Sequence, residues 1–242
     1  MFAKLLPIII SVNECRVLSF FTLCTVQHRV INSNSIFKMS SSGKRPAGDH
    51  TKNGPPAKKG HWSMGLLDAM KDPQLQVHKD DKVVIIKDKY PKAEFHYLVL
   101  PKQNIPRLKA LKPEHLDLLK HMHKVGDKII KEAMEADSKS DVKYRLGYHA
   151  VPSMSHLHLH AISQDFNSPS LKTKKHWNSF TSDYFVDSID VMKQLEEHGK
   201  VDTSARKPDE LLKLPLRCHV CKISLANIPK LKAHMLTHLK SR

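Results

Sequence analysis

Residues 156–162 read His-Leu-His-Leu-His-Ala-Ile, a strict alternation of imidazole and aliphatic side chains that fits a β-strand. Successive side chains on a strand point to opposite faces. Leu157, Leu159 and Ala161 can therefore be buried on one face while His156, His158 and His160 line the other. The histidine face carries three groups that titrate near neutral pH and can take up protons, phosphates or metals.

The flanking sequence supplies the rest of a layered domain. "KVVIIKDKYPKAEFHYLVLP" predicts two strands, residues 82–87 and 95–100, joined by a turn at Tyr90-Pro91. "KPEHLDLLKHMHKVGDKIIKEAM" predicts a long helix that starts at Pro113. "KYRLGYHAV" reads as a third strand and "HLHLHAIS" as a fourth. The fold class is therefore α+β, an antiparallel sheet with packed helices. A short helix carries Trp62, Leu66 and Met70 and ends at Pro73, and another helix spans about 187–197. Between them, "QDFNSPSLKTKKHWNSF" reads as a polar loop. Its Lys172, Lys174 and Lys175 beside Trp177 suit a nucleic-acid rim, and Trp177 as core is an equal alternative.

The chain carries 40 Lys+Arg against 24 Asp+Glu, a formal charge of +16. That excess points to an anionic partner, nucleic acid first and a membrane surface second. Residues 1–38 hold only short apolar runs, too short for a membrane span. They read as an alternative extension ahead of Met39 rather than as a signal peptide, with a mitochondrial presequence a weaker fit. Residues 40–60 have a disordered-linker composition, and Lys44-Arg45 and Lys58-Lys59 bracket a spacer like that of a bipartite nuclear localisation signal. The domain plan is thus 1–60 as extension and linker, 61–200 as a histidine-bearing domain, and 201–242 as a small terminal unit.

That terminal unit has its own signature. Cys218-x2-Cys221-x12-His234-x3-His238 is the ligand spacing of a Cys2His2 zinc finger, which needs a structural Zn2+ to fold. Lys222, Lys230, Lys232, Lys240 and Arg242 are its candidate phosphate contacts. One such finger reads only about three base pairs, so backbone binding with little sequence selectivity is expected.

The histidine strand has a direct chemical use. A neutral imidazole on a rigid strand is a nucleophile towards phosphorus, and flanking imidazoles can stabilise the charge that develops on the phosphate oxygens. The central histidine, His158, is the candidate nucleophile. A zinc site or a merely polar face are the competing readings of the same pattern. Residues 156–162 resemble the signature of the histidine triad superfamily of nucleotide hydrolases and transferases. With the finger, the stretches "GHWSMGL", "RLGYHAVPSMSHLHLHAISQDF", "KKHWNSF" and "LLKLPLRCHVC" resemble the branch of that superfamily that hydrolyses DNA 5′-adenylates.

The resemblance implies a repair enzyme in the nucleus, acting alone as a monomer on nicked or double-stranded DNA and releasing AMP. No membrane and no cofactor for the hydrolysis itself are expected. His149 would assist the leaving group, and His149 and His160 would contact the reacting phosphates. Lys92 would lie near the nucleotide, and Trp62 would form a wedge at the DNA end. Asn167, Ser168 and Lys175 would follow the DNA path. Lys102, Gln103 and Asn104, after the second predicted strand, and Trp177 complete the nucleic-acid candidates. Vertebrate members of this branch carry a forkhead-associated domain that docks phosphorylated repair scaffolds. Residues 1–60 are too short and polar for it, which puts that docking in doubt.

Overall fold

The computed structural model describes residues 65–203 and 207–240. The linker signal and the Trp62 wedge lie outside these residues. Six antiparallel strands form one sheet in the order β1-β2-β3-β5-β4-β6. The strands are β1 Gln76–Lys79, β2 Val83–Lys87, β3 His96–Pro101, β4 Tyr144–His149, β5 Leu159–Ser163 and β6 Phe185–Asp187. The two predicted strands before the long helix form within a residue of expectation. β1 and β6, only four and three residues long, are too short to show a period and gave no signal in the sequence.

Helix α2, Leu116–Ala136, covers one face of the sheet. Ile85, Val99, Leu146, Leu159 and Ala161 project into the core beneath it. From Leu159 to Ile162 the alternation therefore divides as expected, with Leu159 and Ala161 beneath the helix and His160 on the opposite face. Gly126 sits at the closest approach of helix to sheet: a Cβ there would lie 3.0 Å from a Val99 methyl and 3.2 Å from a Leu146 methyl. The opposite face carries His96, Leu98 and Leu100 of β3 and His160 and Ile162 of β5. Cross-strand pairing sets Leu98 opposite His160 and His96 opposite Ile162. Helix α1, Gly65–Ala69, packs on this face through Leu66 against Val84, Ile86 and Leu98.

The polar stretch after the histidines is not a loop throughout. Lys174–Thr181 forms helix α3, capped by the Thr173 hydroxyl accepting from the His176 N–H at 3.1 Å. The helix buries Trp177 and Phe180. Its lysines occupy only the first turn, so the sequence looked uniformly polar although one face is apolar. Helices α4 (Ser188–His198), α5 (Pro208–Leu211) and α6 (Ile228–Lys240) complete the described elements. No helix among the described residues is long and apolar enough to cross a membrane.

The finger does not stand apart. Leu216, Cys218, Leu231 and Met235 share one buried cluster with Ile162, Phe166, Trp177, Phe180 and Phe185. The Trp177 indole N–H donates to the Arg217 carbonyl at 3.0 Å, and the Lys232 ammonium donates to the Ser168 carbonyl. The His219 ring lies edge-on to Phe166 and Trp177, with centroids 5.1 and 5.5 Å away.

Candidate active site

Four imidazoles converge on the face opposite α2. His158 and His160 have ring centroids 4.9 Å apart, His149 and His160 4.5 Å, and His96 and His160 5.2 Å. β5 delivers His160, the end of β4 delivers His149, and the start of β3 delivers His96. Phe180 of α3 forms an apolar wall against three of them, 4.7 Å from His149, 5.3 Å from His160 and 5.4 Å from His96. Gly147 makes this crowding sterically permissible. A Cβ there would come within 2.5 Å of the Val186 carbonyl and 2.6 Å of the Phe185 ring.

The strand expected for all three alternating histidines begins only at Leu159. His156 instead takes a left-handed backbone, φ 83°, and its ring leaves the cluster. Its Nε2 donates to the Pro101 carbonyl at 2.7 Å. The physical reason lies in the neighbouring chain: the N–H groups of His156 and Leu157 donate to the Pro106 and Ile105 carbonyls. This segment thus pairs with the connection after β3 and turns before joining the sheet. His156 is therefore not a group facing phosphate. Its contribution is its carbonyl, which accepts from His158 Nδ1 at 2.8 Å.

Hydrogen bonds fix the tautomers in sequence. A carbonyl only accepts, so His158 carries its proton on Nδ1 and presents a lone pair at Nε2. The Lys92 backbone N–H donates to His96 Nδ1 at 3.1 Å. His96 Nε2 must then donate to His160 Nδ1, 2.9 Å away, which leaves the proton of His160 on Nε2. That nitrogen and His149 Nε2 are both buried and have no protein partner. The His160 Nε2–H is thus a free donor beside the lone pair of His158, as an oxyanionic phosphate requires, while neutral His149, hydrogen-bonded to the Ser179 backbone, donates from Nε2 only once it is protonated.

Electrostatics keep the cluster neutral. Burial and the positive charge of neighbouring groups hold His149 and His160 well below the ordinary imidazole range. Burial lowers His96 to about 4, against a partial opposing pull from Asp88. His158 is lowered by burial as well, despite the carbonyl of His156. Lys92 is half-buried, its side chain donates to the Tyr90 carbonyl, and burial lowers its pKa. A cleft of about 360 Å³ adjoins the cluster, lined by Leu66, Ile86, Tyr90, Leu98 and Met154 among others. Apolar walls ending at polar groups are the usual form of a small-ligand site.

The nucleic-acid candidates separate into two groups. Lys102, Gln103 and Asn104 are exposed on the connection after β3. They just precede Ile105 and Pro106, whose carbonyls accept from Leu157 and His156, and the Gln103 side chain meets His115 at 3.2 Å. Asn167 and Lys175 are exposed as well. Trp177 and Ser168 are not. Trp177 is 1% exposed in the finger-facing core, and the buried Ser168 hydroxyl donates to the Pro91 carbonyl. Lys232, anchored to the Ser168 backbone, holds the finger in place instead of contacting phosphate. His96 and Phe180 were missed. His96 opens a predicted strand, but only the non-local register of β3 with β5 brings it to His160.

Among the described residues, two donor sets are close enough to hold a metal: Asp88–His96–His160 and Cys218–Cys221–His234–His238. Hydrogen bonding between His96 and His160 accounts for the first. In the second, Cys218 Sγ lies 3.4 Å from His238 Nε2 and Cys221 Sγ 3.2 Å from His234 Nε2. The two histidine nitrogens are 3.0 Å apart. Ligands at zinc bond lengths on a tetrahedron lie roughly 3.3–3.7 Å apart, and two of these three spacings are up to a few tenths of an ångström shorter. All four donor atoms lie within 4.8 Å of one another, so the set can close on one such ion.

Residues 61–176 match the family described as "Scavenger mRNA decapping enzyme C-term binding", and residues 181–241 match "C2HE / C2H2 / C2HC zinc-binding finger". Aprataxin of Danio rerio is 61% identical over 182 residues, which cover 75% of this chain and 55% of that protein. The chain thus spans about half the length of that relative. An aprataxin-like protein of Schizosaccharomyces pombe is 32% identical, with 66% of this chain and 72% of that protein covered. The aprataxin-like protein of Saccharomyces cerevisiae is 30% identical, covering 64% and 83%. Among solved structures, Hnt3 in complex with DNA and guanosine is 26% identical with a TM-score of 0.50, covering 73% of this chain and 95% of that one. Matched over 72% and 83% of the lengths of those two aprataxin-like proteins at 32% and 30% identity, the chain belongs to the aprataxin family.

Proposed function

We propose that this chain removes AMP from 5′-adenylated DNA ends. The observation that carries the reading is the tautomer of His158, whose Nε2 lone pair stands beside the unengaged nitrogens of His149 and His160. His158 Nε2 attacks the AMP phosphorus, and the phosphoanhydride bond to the DNA phosphate breaks. His160 Nε2–H donates to the phosphate oxygens. His149, neutral in the free protein, gains a proton as the anionic phosphates arrive and passes it to the departing 5′-phosphate. Water then cleaves the histidyl–AMP bond and frees AMP, which divides one difficult hydrolysis into two easier steps.

The apolar cleft receives the nucleoside, with Lys92 at its phosphate end. The exposed Lys102 and Lys175 neutralise the DNA backbone, and Asn104 and Asn167 donate hydrogen bonds to it. Zn2+ on the four finger donors is structural and holds the knuckle against the catalytic core. Complexes of Hnt3 with DNA support a nucleic-acid substrate here. Repair of abortive ligation in the nucleus is the setting in which such a substrate arises, and the basic linker signal supports that placement.

The test is AMP release from a 5′-adenylated nicked duplex beside a free dinucleotide at equal concentration. Strong preference for the duplex is expected. Equal or faster turnover of the dinucleotide overturns the DNA assignment and leaves a general nucleotide hydrolase.

A further inference from the structure

Of the four buried polar groups among the described residues that find no partner and are not used by the chemistry above, two lie together. One is the hydroxyl of Tyr148, 2% exposed; the other is Nδ1 of His156, 3% exposed. Both residues line the same small cavity, with Leu108, Pro152 and Leu157 around them and His149 and His158 at its edge. Its volume, about 10 Å³, is the lower bound for holding a single water.

The two groups are chemically complementary. His156 Nε2 donates to the Pro101 carbonyl, so the neutral ring offers only an acceptor at Nδ1. The phenol offers a donor. Buried groups of this kind are rarely left unpaired, and a water that accepts from one and donates to the other satisfies both. We propose that this cavity is a built site for one water linking Tyr148 to His156, and that Tyr148 is thereby a positioning residue for the nucleophile.

The consequence runs along the chain. His156 holds a left-handed backbone, φ 83°, which a side chain with a Cβ adopts only when its surroundings enforce it. The Pro101 carbonyl clamps one end of its ring, and the water with Tyr148 clamps the other. The peptide so held is the one whose carbonyl fixes His158 Nδ1–H. Tyr148 acts on His158 through the water, the imidazole and the peptide of His156, without touching substrate. The inference rests on the deadenylation reading only for its kinetic arm.

The experiment pairs a high-resolution crystal structure with Tyr148→Phe, which removes one oxygen and keeps the ring. Density for one water within hydrogen-bond distance of Tyr148 Oη and His156 Nδ1 is expected in the unaltered protein. In the variant, kcat for AMP release should fall roughly three- to tenfold, the rate equivalent of one net hydrogen bond, with KM unchanged. The 15N shifts of His158 should also show a loosened preference for the Nδ1–H form. An empty cavity in the unaltered protein overturns the proposal. So does a variant with unchanged kcat and His158 shifts. If Tyr148→Phe does not fold, the density decides by itself. If the unaltered protein releases no AMP from adenylated DNA, the functional reading fails while the water site is still judged by density and shifts.

Discussion

Acid should unfold this protein well before its carboxylates titrate. His96, His149, His158 and His160 are buried and held neutral, all below the ordinary imidazole value. The unfolded chain binds a proton at each near pH 6.5, and the folded protein does not. The unfolded state therefore holds more protons as pH falls, and stability drops from about pH 6.5 downward. For His96, moving from 6.5 to about 4, the loss between pH 7 and pH 5 is about 2 kcal/mol. Against a total of roughly 5–15 kcal/mol for a native domain that is a sizeable share, and His149, His158 and His160 act in the same direction. Asp80, held low by its hydrogen bonds to Val83, Lys82 and His121, adds stability that is kept at neutral pH and lost only as pH falls below its ordinary value of 3.8. Urea unfolding at pH 7, 6 and 5 measures the slope. Because zinc ligands also protonate in acid, the comparison is with His96→Gln, which keeps every finger ligand. The variant should lose up to about 1.4 kcal/mol per pH unit from that slope. An identical slope in both proteins would refute the burial argument.

His158→Ala should abolish AMP release while leaving affinity for nicked DNA within a few-fold, measured by product chromatography and fluorescence anisotropy. Gly147→Ala places a methyl against the Val186 carbonyl and the Phe185 ring. It should cost at least the roughly 1–3 kcal/mol typical of overpacking, read from chemical denaturation, and lower activity with it. Chelating zinc should shift the emission of Trp177, whose indole bonds the finger backbone, and lower the melting temperature of the whole catalytic unit. DNA affinity should fall steeply with salt, because a chain of formal charge +16 releases counterions on binding.

Local signals carried much of this in the sequence. The alternation at 156–162 assigned the buried face correctly, and the spacing of Cys218, Cys221, His234 and His238 named a donor set that the fold closes. What escaped depends on distant partners. His96 joins His160 through a register 64 residues apart. His156 leaves the strand because the chain after β3 claims its N–H. Trp177 read equally as stacking platform or as core, because three lysines precede it; its burial and its indole bond to the finger's backbone decide for core. The alternating pattern shows which face a residue takes, but not which neighbour fills that face.

The cluster joining Cys218, Leu231 and Met235 to Trp177, Phe180 and Phe185 also bears on how the chain can be cut. A border drawn after residue 200 follows composition, but it severs one hydrophobic core. A fragment ending there would expose Phe166 and Trp177 to water and unseat the aromatic wall that Phe180 raises against three histidines. Such a fragment should aggregate, and a transplanted finger from another protein should not rescue it without Leu216, His219 and Leu231. The residues around the two sequence motifs thus share one hydrophobic core.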